Sequence, residues 1–356
     1  MNKIINILKE KKPITLDKFI DIALYNKKHG YYMKKNPFGK KGDFITSPII
    51  SNLFGEMVAV WCVAFWEYLG KPKKITIVEM GPGDGSLCNN LLQTFKRFSV
   101  FYDCLEVNLF EISNKLKVIQ KKKIKNKKVK WIKTLKKFNY GPIIFLGNEF
   151  FDSLPIKQVY KKNNLFFEKY IEFGKKEKKL KFIYKKANKN LINSIKKLNL
   201  IKSGNIIEYP KKAIDYLYDI EKSINKFDGG LLTFDYGYTK NNNNNSLQSV
   251  KKHRYFNPLI NPGNSDITSH VNFELFKEVL VKSNLSTSGA ITQNEFLQKM
   301  GIVERANILS KKMSFKSKAD LYYRINKILN PSQMGSLFKV LFASKNKKGK
   351  KFLLGF

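Results

Sequence analysis

The 356-residue chain is poor in the side chains that build metal sites and disulfides. It has three cysteines, Cys62, Cys88 and Cys104, and three histidines, His29, His253 and His270. No two cysteines form a CxxC pair, so neither a disulfide framework nor a metal site is expected. Arginine is almost as scarce: of 67 basic residues only Arg97, Arg254, Arg305 and Arg324 are arginine, which leaves 63 lysines. The formal net charge of +39 suits a nucleic-acid partner, because cations neutralise phosphates. Specific readers of bases and phosphates favour the planar arginine fork, however, and that residue is the scarce one. The lysine excess accompanies abundant Asn and Ile, and all three have A/T-rich codons, so nucleotide bias accounts for much of it. No specific nucleic-acid partner is expected. Also absent is an uncharged apolar run of the ~20 residues that cross a bilayer; the longest, around Met57 to Phe65, reads as a core helix, so no membrane insertion is expected. The apolar stretch before Lys9, Glu10 and Lys11 is too short for a signal peptide and lacks the Arg and Ser of a transit sequence, which points to the cytoplasm.

What is present is enough apolar material, 43% of residues, for one large domain with an insertion or two modest ones. Residues 1–70 read as helix, loop, helix, with a Gly- and Pro-punctuated loop between two amphipathic stretches. From Lys74 to about Phe98 an apolar run, "ITIVEM", leads through a glycine turn into a helix. "DCLEVNLFEIS" supplies a second strand before a Lys-rich helix. "GPIIFLGNEFFDSLP" and "GGLLTFDYGY" are two more buried strands with polar tips. Strands alternating with helices predict an α/β domain with a mainly parallel sheet, whose ligands gather at the carboxyl ends of the strands. Residues 156–227 interrupt this pattern with period-two alternation, read as an inserted antiparallel hairpin followed by a helix over Lys211 to Lys226. The core is therefore expected over 71–155 and 228–356. Residues 241 to 245 are all Asn, a low-complexity loop.

The stretch "EMGPGDG" places Glu79 at a strand tip, followed by Gly81, Gly83 and Gly85 at alternate positions. Glycine is needed where φ is positive or where backbone must touch a ligand, and the helix that follows offers free N–H groups. The spacing is neither the G-x-G-x-x-G of dinucleotide binders nor a P-loop with its lysine, which disfavours a nicotinamide-dependent oxidoreductase. Glu79, Asp84 and Glu111, the last at the tip of the next strand, argue against a pyrophosphate. They suit a cationic ligand carrying a ribose, and S-adenosylmethionine (SAM) fits. In "LGNEFFDSLP", Asn148, Glu149 and Asp152 stand at the mouth beside the glycine turn, with Phe150 and Phe151 between the acids. A DNA amino-methyltransferase shows Asn or Asp, then Pro-Pro and an aromatic, at this tip. Two carboxylates instead match a guanidinium, which is planar and always charged.

Together these stretches resemble the MidA-like family of class I SAM-dependent methyltransferases, which includes the mitochondrial complex I assembly-factor protein arginine methyltransferase. The likeness runs from about "HGYYM" to "GSLFKVL". It rests on "GDFITSP" (Gly42 to Pro48), "FGE" (Phe54 to Glu56), "EMGPGDG", "NEFFDSLP", "DYGY" (Asp235 to Tyr238), "PGNSDITSHVNF" (Pro262 to Phe273) and "MGSLFKVL" (Met334 to Leu341). The resemblance implies a Rossmann-like, seven-stranded core with an N-terminal helical, cofactor-covering segment. It implies SAM as cofactor and a protein substrate, an arginine of a respiratory complex I subunit or assembly intermediate. It makes Gly42, Asp43, Thr46 and Ser47 candidates for lining the cofactor, alongside Glu79, Gly81, Gly83, Gly85 and Glu111. Asn148, Glu149 and Asp152 are the catalytic candidates; Phe150, Phe151, Asp235, Tyr236 and His270 are candidates for the substrate side. The chain departs from the family at Asp84, where Arg is frequent, and at Asn272, where Asp is usual and a helix cap is at stake. The rival readings are an RNA or DNA methyltransferase and a non-catalytic assembly factor that keeps the fold.

Overall fold

A computed structural model describes residues 2–34, 37, 39, 43, 46–240, 245–251, 254–345 and 351–356, with 202 and 203 as backbone only. Seven strands form the continuous path of the eight-stranded main sheet, whose eighth, the short Val271–Asn272, pairs with one end of β5: β1 (Ile75–Met80), β2 (Leu105–Phe110), β3 (Val129–Ile132), β4 (Ile143–Asn148), β5 (Gly229–Tyr238), β6 (Ser286–Thr292) and β7 (Phe338–Ser344), in the order β6-β7-β5-β4-β1-β2-β3. Strands β3, β2, β1, β4 and β5 are parallel. Strand β7 runs antiparallel to both β5 and β6. This is the α/β, mainly parallel sheet that the sequence predicts, and its seven-stranded path is the one the family resemblance implies. The central strands read as unbroken apolar runs because both faces are covered: all six residues of β1 are buried. The order in which successive strands are added reverses between β1 and β4, and that switch point opens a crevice at the strands' carboxyl ends.

Six helices matter to the site: α1 (Leu16–Tyr25), α2 (Asn52–Tyr68), α3 (Ser86–Phe95), α4 (Asn114–Lys123), α5 (Lys211–Phe227) and α6 (Phe273–Lys282). On one face α2 and α3 pack Phe54, Trp61, Phe65 and Leu91 over Ile77 and Phe342. On the other, α5 and α6 pack Leu217 and Phe276 over Val78 and Phe145. Two glycines of the family signatures are packing devices. A Cβ on Gly55 would stand 2.7 Å from Asn90 Cβ, so this glycine lets α2 approach α3. A Cβ on Gly237 would stand 2.1 Å from the Val271 carbonyl oxygen, where Val271–Asn272 pairs with the end of β5.

A second, antiparallel sheet joins Lys157–Lys162, Leu165–Gly174, Lys179–Lys186 and Ile206–Tyr209 with Ile14–Thr15 from the N-terminus. Ile14 pairs with Ile171, and α1 buries Leu16, Phe19 and Leu24 against Ile156, Ile171 and Ile267. The first seventy residues, expected as one covering segment, thus divide: α1 joins the inserted sheet, whereas α2 belongs to the main-sheet core. The helix expected over Lys211 to Lys226 is α5. Of the Asn run, 241 to 244 lie outside the described residues, and no described helix is long and apolar enough to cross a membrane.

Candidate active site

The turn after β1 adopts the backbone its glycines allow: φ is +65° at Gly81, +55° at Gly83 and +81° at Gly85. Gly81 N–H donates to the Phe110 carbonyl (3.0 Å), tying the tips of β1 and β2. Gly81 and Gly83 line a cavity of about 270 Å³. Gly85 does not line it; it opens α3, and a Cβ there would stand 2.9 Å from Ile124 Cδ1. Asp84 is not available to a cationic ligand, contrary to the sequence reading. Its carboxylate accepts from Ser86 N–H and Oγ–H, each at 3.0 Å, and pairs with Lys123 Nζ at 2.5 Å. Glu79 does not line the cavity either. By strand alternation it shares the α2 and α3 face with Ile77, beneath the turn. It is buried, its Oε2 has no protein partner, and burial, reinforced by the charges of Asp84 and Glu111, raises its carboxyl to about 8.

Glu111, at the tip of β2, does line the cavity. Its Oε1 accepts from Ser113 N–H at 2.7 Å, and its Oε2 from Gln120 Nε2 at 3.0 Å. The same Gln120 amide donates to the Gly83 carbonyl at 2.8 Å, and Trp131 Nε1–H donates to its Oε1 at 2.8 Å. Gln120 therefore locks the glycine turn to the β2 acid. Sequence reasoning missed it, although a glutamine four residues after Leu116 on the inward stripe of α4 is a readable signal.

The far end of the cavity is built from acids and tyrosines. Glu149 follows β4 at φ +54°, a left-handed conformation unusual for a non-glycine residue. Its N–H donates to the Phe234 carbonyl (2.9 Å), and its carboxylate accepts from Asn148 Nδ2 (3.3 Å) and from the Ser47 N–H. Burial, then the Asp152 charge, push the Glu149 carboxyl up to about 8. Asp152 accepts from the Tyr236 hydroxyl while its Oδ1 has no protein partner; burial raises its pKa as well. Asp266 accepts from Tyr32 Oη–H at 2.9 Å and from Ile267 N–H at 2.9 Å, and burial, then Asp152, raise it to about 8. Tyr25 and Tyr32 stack with centroids 5.7 Å apart on the same wall. Among the described lining residues Lys212 is the one cation.

Several sequence candidates stand elsewhere. Asp235 is fully buried; its Oδ2 accepts from the N–H groups of Phe151 (2.9 Å) and Asp152 (3.3 Å), and its Oδ1 from Tyr236 N–H (3.0 Å). It shapes the loop after β4 and does not face the cavity. Phe150 lines the cavity, with its ring 3.0 Å from where a Gly81 Cβ would sit. Phe151 instead packs edge-on against Phe276 in the core. Tyr236 lines the cavity, whereas His270 lies behind it, edge-on to the Tyr236 ring at 5.6 Å, with burial lowering its pKa. Asn272 still caps α6, accepting from Leu275 N–H at 3.0 Å, so its departure from the family loses no cap. Asp43, Thr46 and Ser47 are buried; Asp43 accepts from Tyr31 Oη–H at 2.7 Å, and Ser47 reaches Glu149 through its backbone. Gly42 lies outside the described residues. Tyr25, Tyr32, Asp266 and Lys212 were not singled out from sequence; Tyr32 and Asp266 meet across 234 positions, a pairing no local pattern reveals.

The glycine end fits the cofactor: bare backbone at Gly81 and Gly83, and a buried carboxylate at the β2 tip suited to ribose hydroxyls. The acid end is a cluster of carboxyls that burial and their mutual repulsion hold partly protonated, with few cations to oppose it. It should therefore weaken the ligand-free protein as pH rises. Glu79, Glu149 and Asp266 bind protons more tightly folded than unfolded, so the stability they contribute is complete below their ordinary values, 4.5 for the glutamates and 3.8 for the aspartate, and is lost as pH rises through about 8. Melting temperature measured from pH 6 to about 9 should fall in the wild type and fall less in a Glu149→Gln, Asp266→Asn protein.

Residues 57–291 match a family described as a putative S-adenosyl-L-methionine-dependent methyltransferase. Protein arginine methyltransferase NDUFAF7, mitochondrial, of Xenopus laevis is 30% identical over 95% of this chain and 83% of its own length. The human protein of that name is 28% identical over 93% and 80%. The crystal structure of a COG1565 superfamily member from Burkholderia thailandensis bound to S-adenosyl-homocysteine superposes with a TM-score of 0.83 at 21% identity. The match covers 99% of this chain and 93% of that one, and it corroborates the fold. The curated relatives are mitochondrial by name, which overturns the cytoplasmic placement drawn from the N-terminal stretch. With a matched region that takes in β1 to β5, the glycine turn, Glu111 and the acids Glu149, Asp152 and Asp266, the chain belongs to the MidA-like family of S-adenosylmethionine-dependent methyltransferases, and SAM is its methyl donor.

Proposed function

We propose that the chain methylates a guanidinium nitrogen of a protein arginine, in a respiratory complex I subunit or assembly intermediate. The observation that carries this reading is the acid end of the cavity, where Glu149, Asp152 and Asp266 converge with a single lysine among the lining residues. A guanidinium satisfies several carboxylates at once and restores their ionisation, while a lysine ammonium is a point charge without the planar fork. The names of the relatives agree with it. Glu111 with the Gly81 and Gly83 backbone holds the cofactor, Gln120 fixes them, and SAM supplies an electrophilic methyl group. Glu149 and Asp152 orient the arginine, and one of them accepts the proton that the guanidinium releases. Phe150 and Tyr236 exclude water between the two ends. The RNA or DNA alternative has against it the missing Pro-Pro-aromatic tip and a cavity wall of carboxylates that repels phosphate.

The test is single-turnover transfer of labelled methyl from SAM to three probes: an arginine peptide from a complex I subunit, the same peptide with lysine for arginine, and a structured RNA. Label is expected in the first alone. Label in the RNA, or in the lysine peptide at an equal rate, overturns the arginine reading.

A further inference from the structure

An open groove of about 510 Å³ runs along the outside of the molecule and shares Asp21, Pro155 and Lys212 with the cavity, but none of the glycine or Glu111 lining. It therefore meets the cavity at the acid end and not at the cofactor end. Its walls come from outside the main sheet and from the start of α5: α1 and the residues before it on one side, Lys157 and Tyr209 of the inserted sheet and Lys211 of α5 on the other. The charges along it are organised. Asp17 is paired with Lys157 at 3.0 Å, and Asp215 with Lys211 at 2.7 Å. Lys11 and Lys18 are exposed and make no ion pair among the described residues. Asp21, at the junction, is exposed and has no hydrogen-bond or ion-pair partner among the described residues; partial desolvation raises its pKa, and Lys212 counters that.

Building on the arginine reading, we propose that this groove is where the substrate polypeptide docks. The polypeptide runs through it extended, with acidic residues flanking the target arginine. The charge pattern supports this occupant. The cavity attracts one cation, Asp21 stands where an arginine stem enters, and the unpaired Lys11 and Lys18 farther out attract carboxylates. A nucleic-acid strand fits less well, because the groove leads to Asp21 and the acids of the cavity, which suit a single cation between acidic flanks and not a uniformly anionic backbone.

Binding, measured apart from turnover, tests it. Fluorescence anisotropy compares two labelled arginine peptides that differ only in acidic or basic flanks, on the full chain with SAM present, for wild type and for Lys11→Glu, Lys18→Glu. The acidic-flanked peptide should bind wild type the tighter, and the double variant should reverse that preference, by about tenfold for two screened surface charges. SAM affinity, read in parallel, reports an intact fold. Equal binding of both peptides to both proteins overturns the groove assignment even if arginine is methylated. Flank-dependent binding without methyl transfer keeps the docking groove and overturns the arginine chemistry. An RNA oligonucleotide that displaces the peptide, and is itself lost in the double variant, overturns the peptide occupant.

Discussion

Gly81→Val should lower SAM affinity by at least about a hundredfold, equivalent to ~2.8 kcal/mol, with the protein still folded. Two effects act together. Gly81 sits at φ +65°, where a non-glycine residue costs ~1–2 kcal/mol and a β-branched one is more strained. Its Cβ would also stand 3.0 Å from the Phe150 ring, and the two γ-methyls beyond would enter the cavity that Gly81 lines. Gly83, at φ +55° on the same wall, should respond likewise. Gly85→Ala separates the roles: its φ is +81° and its neighbour is Ile124, so it should lower melting temperature and leave SAM affinity within a few fold. Calorimetric titration with SAM beside a thermal melt reads both. Unchanged affinity in a folded Gly81→Val protein would remove the glycine turn from the cofactor site.

The contrast among the three glycines marks how far sequence reasoning reaches. A buried parallel strand reads as an apolar run that ends in polar residues, so the tips of β1, β2, β4 and β5 were visible and the crevice beside them followed. Which polar residue faces the ligand is decided by partners distant in the chain. Asp84 looked like a ligand for a cation until Lys123 took its charge. Asp235 sits at a strand tip as a substrate residue should, yet the N–H groups of Phe151 and Asp152 occupy its carboxylate. Signature motifs proved equally mixed. "NEFFDSLP" supplies Glu149, Phe150 and Asp152 to the cavity, whereas the Gly55 of "FGE" and the Gly237 of "DYGY" serve close packing. Of the missed residues, Tyr25 ends the amphipathic α1 and could have been placed on its inner side, whereas Tyr32 and Asp266 lie in segments too short for periodicity to orient them and meet only in the folded chain.

Glu149→Gln and Asp152→Asn should each slow methyl transfer by on the order of a hundredfold, as for loss of a group that handles a proton, with little change in SAM affinity. The argument is electrostatic. In the ligand-free cavity burial holds the Glu149 carboxyl up at about 8, so near neutrality it is largely protonated. A guanidinium about 4 Å away attracts the carboxylate by ~4 kcal/mol at an effective dielectric constant of ~20. Since one pKa unit is ~1.36 kcal/mol, that attraction takes the carboxyl well below neutrality, and arginine binding ionises it. Binding of an arginine peptide should therefore release a proton, detectable as a calorimetric heat that differs between buffers of different ionisation enthalpy. Glutamine keeps the shape and the Ser47 N–H contact but has no proton to release, so the buffer dependence should shrink together with the rate. Asn at 152 keeps an acceptor for Tyr236 and removes the second charge. Their effects should be less than additive if the two acids act on one guanidinium. Wild-type transfer rates in both variants, or loss of SAM binding in either, would move these acids away from the arginine.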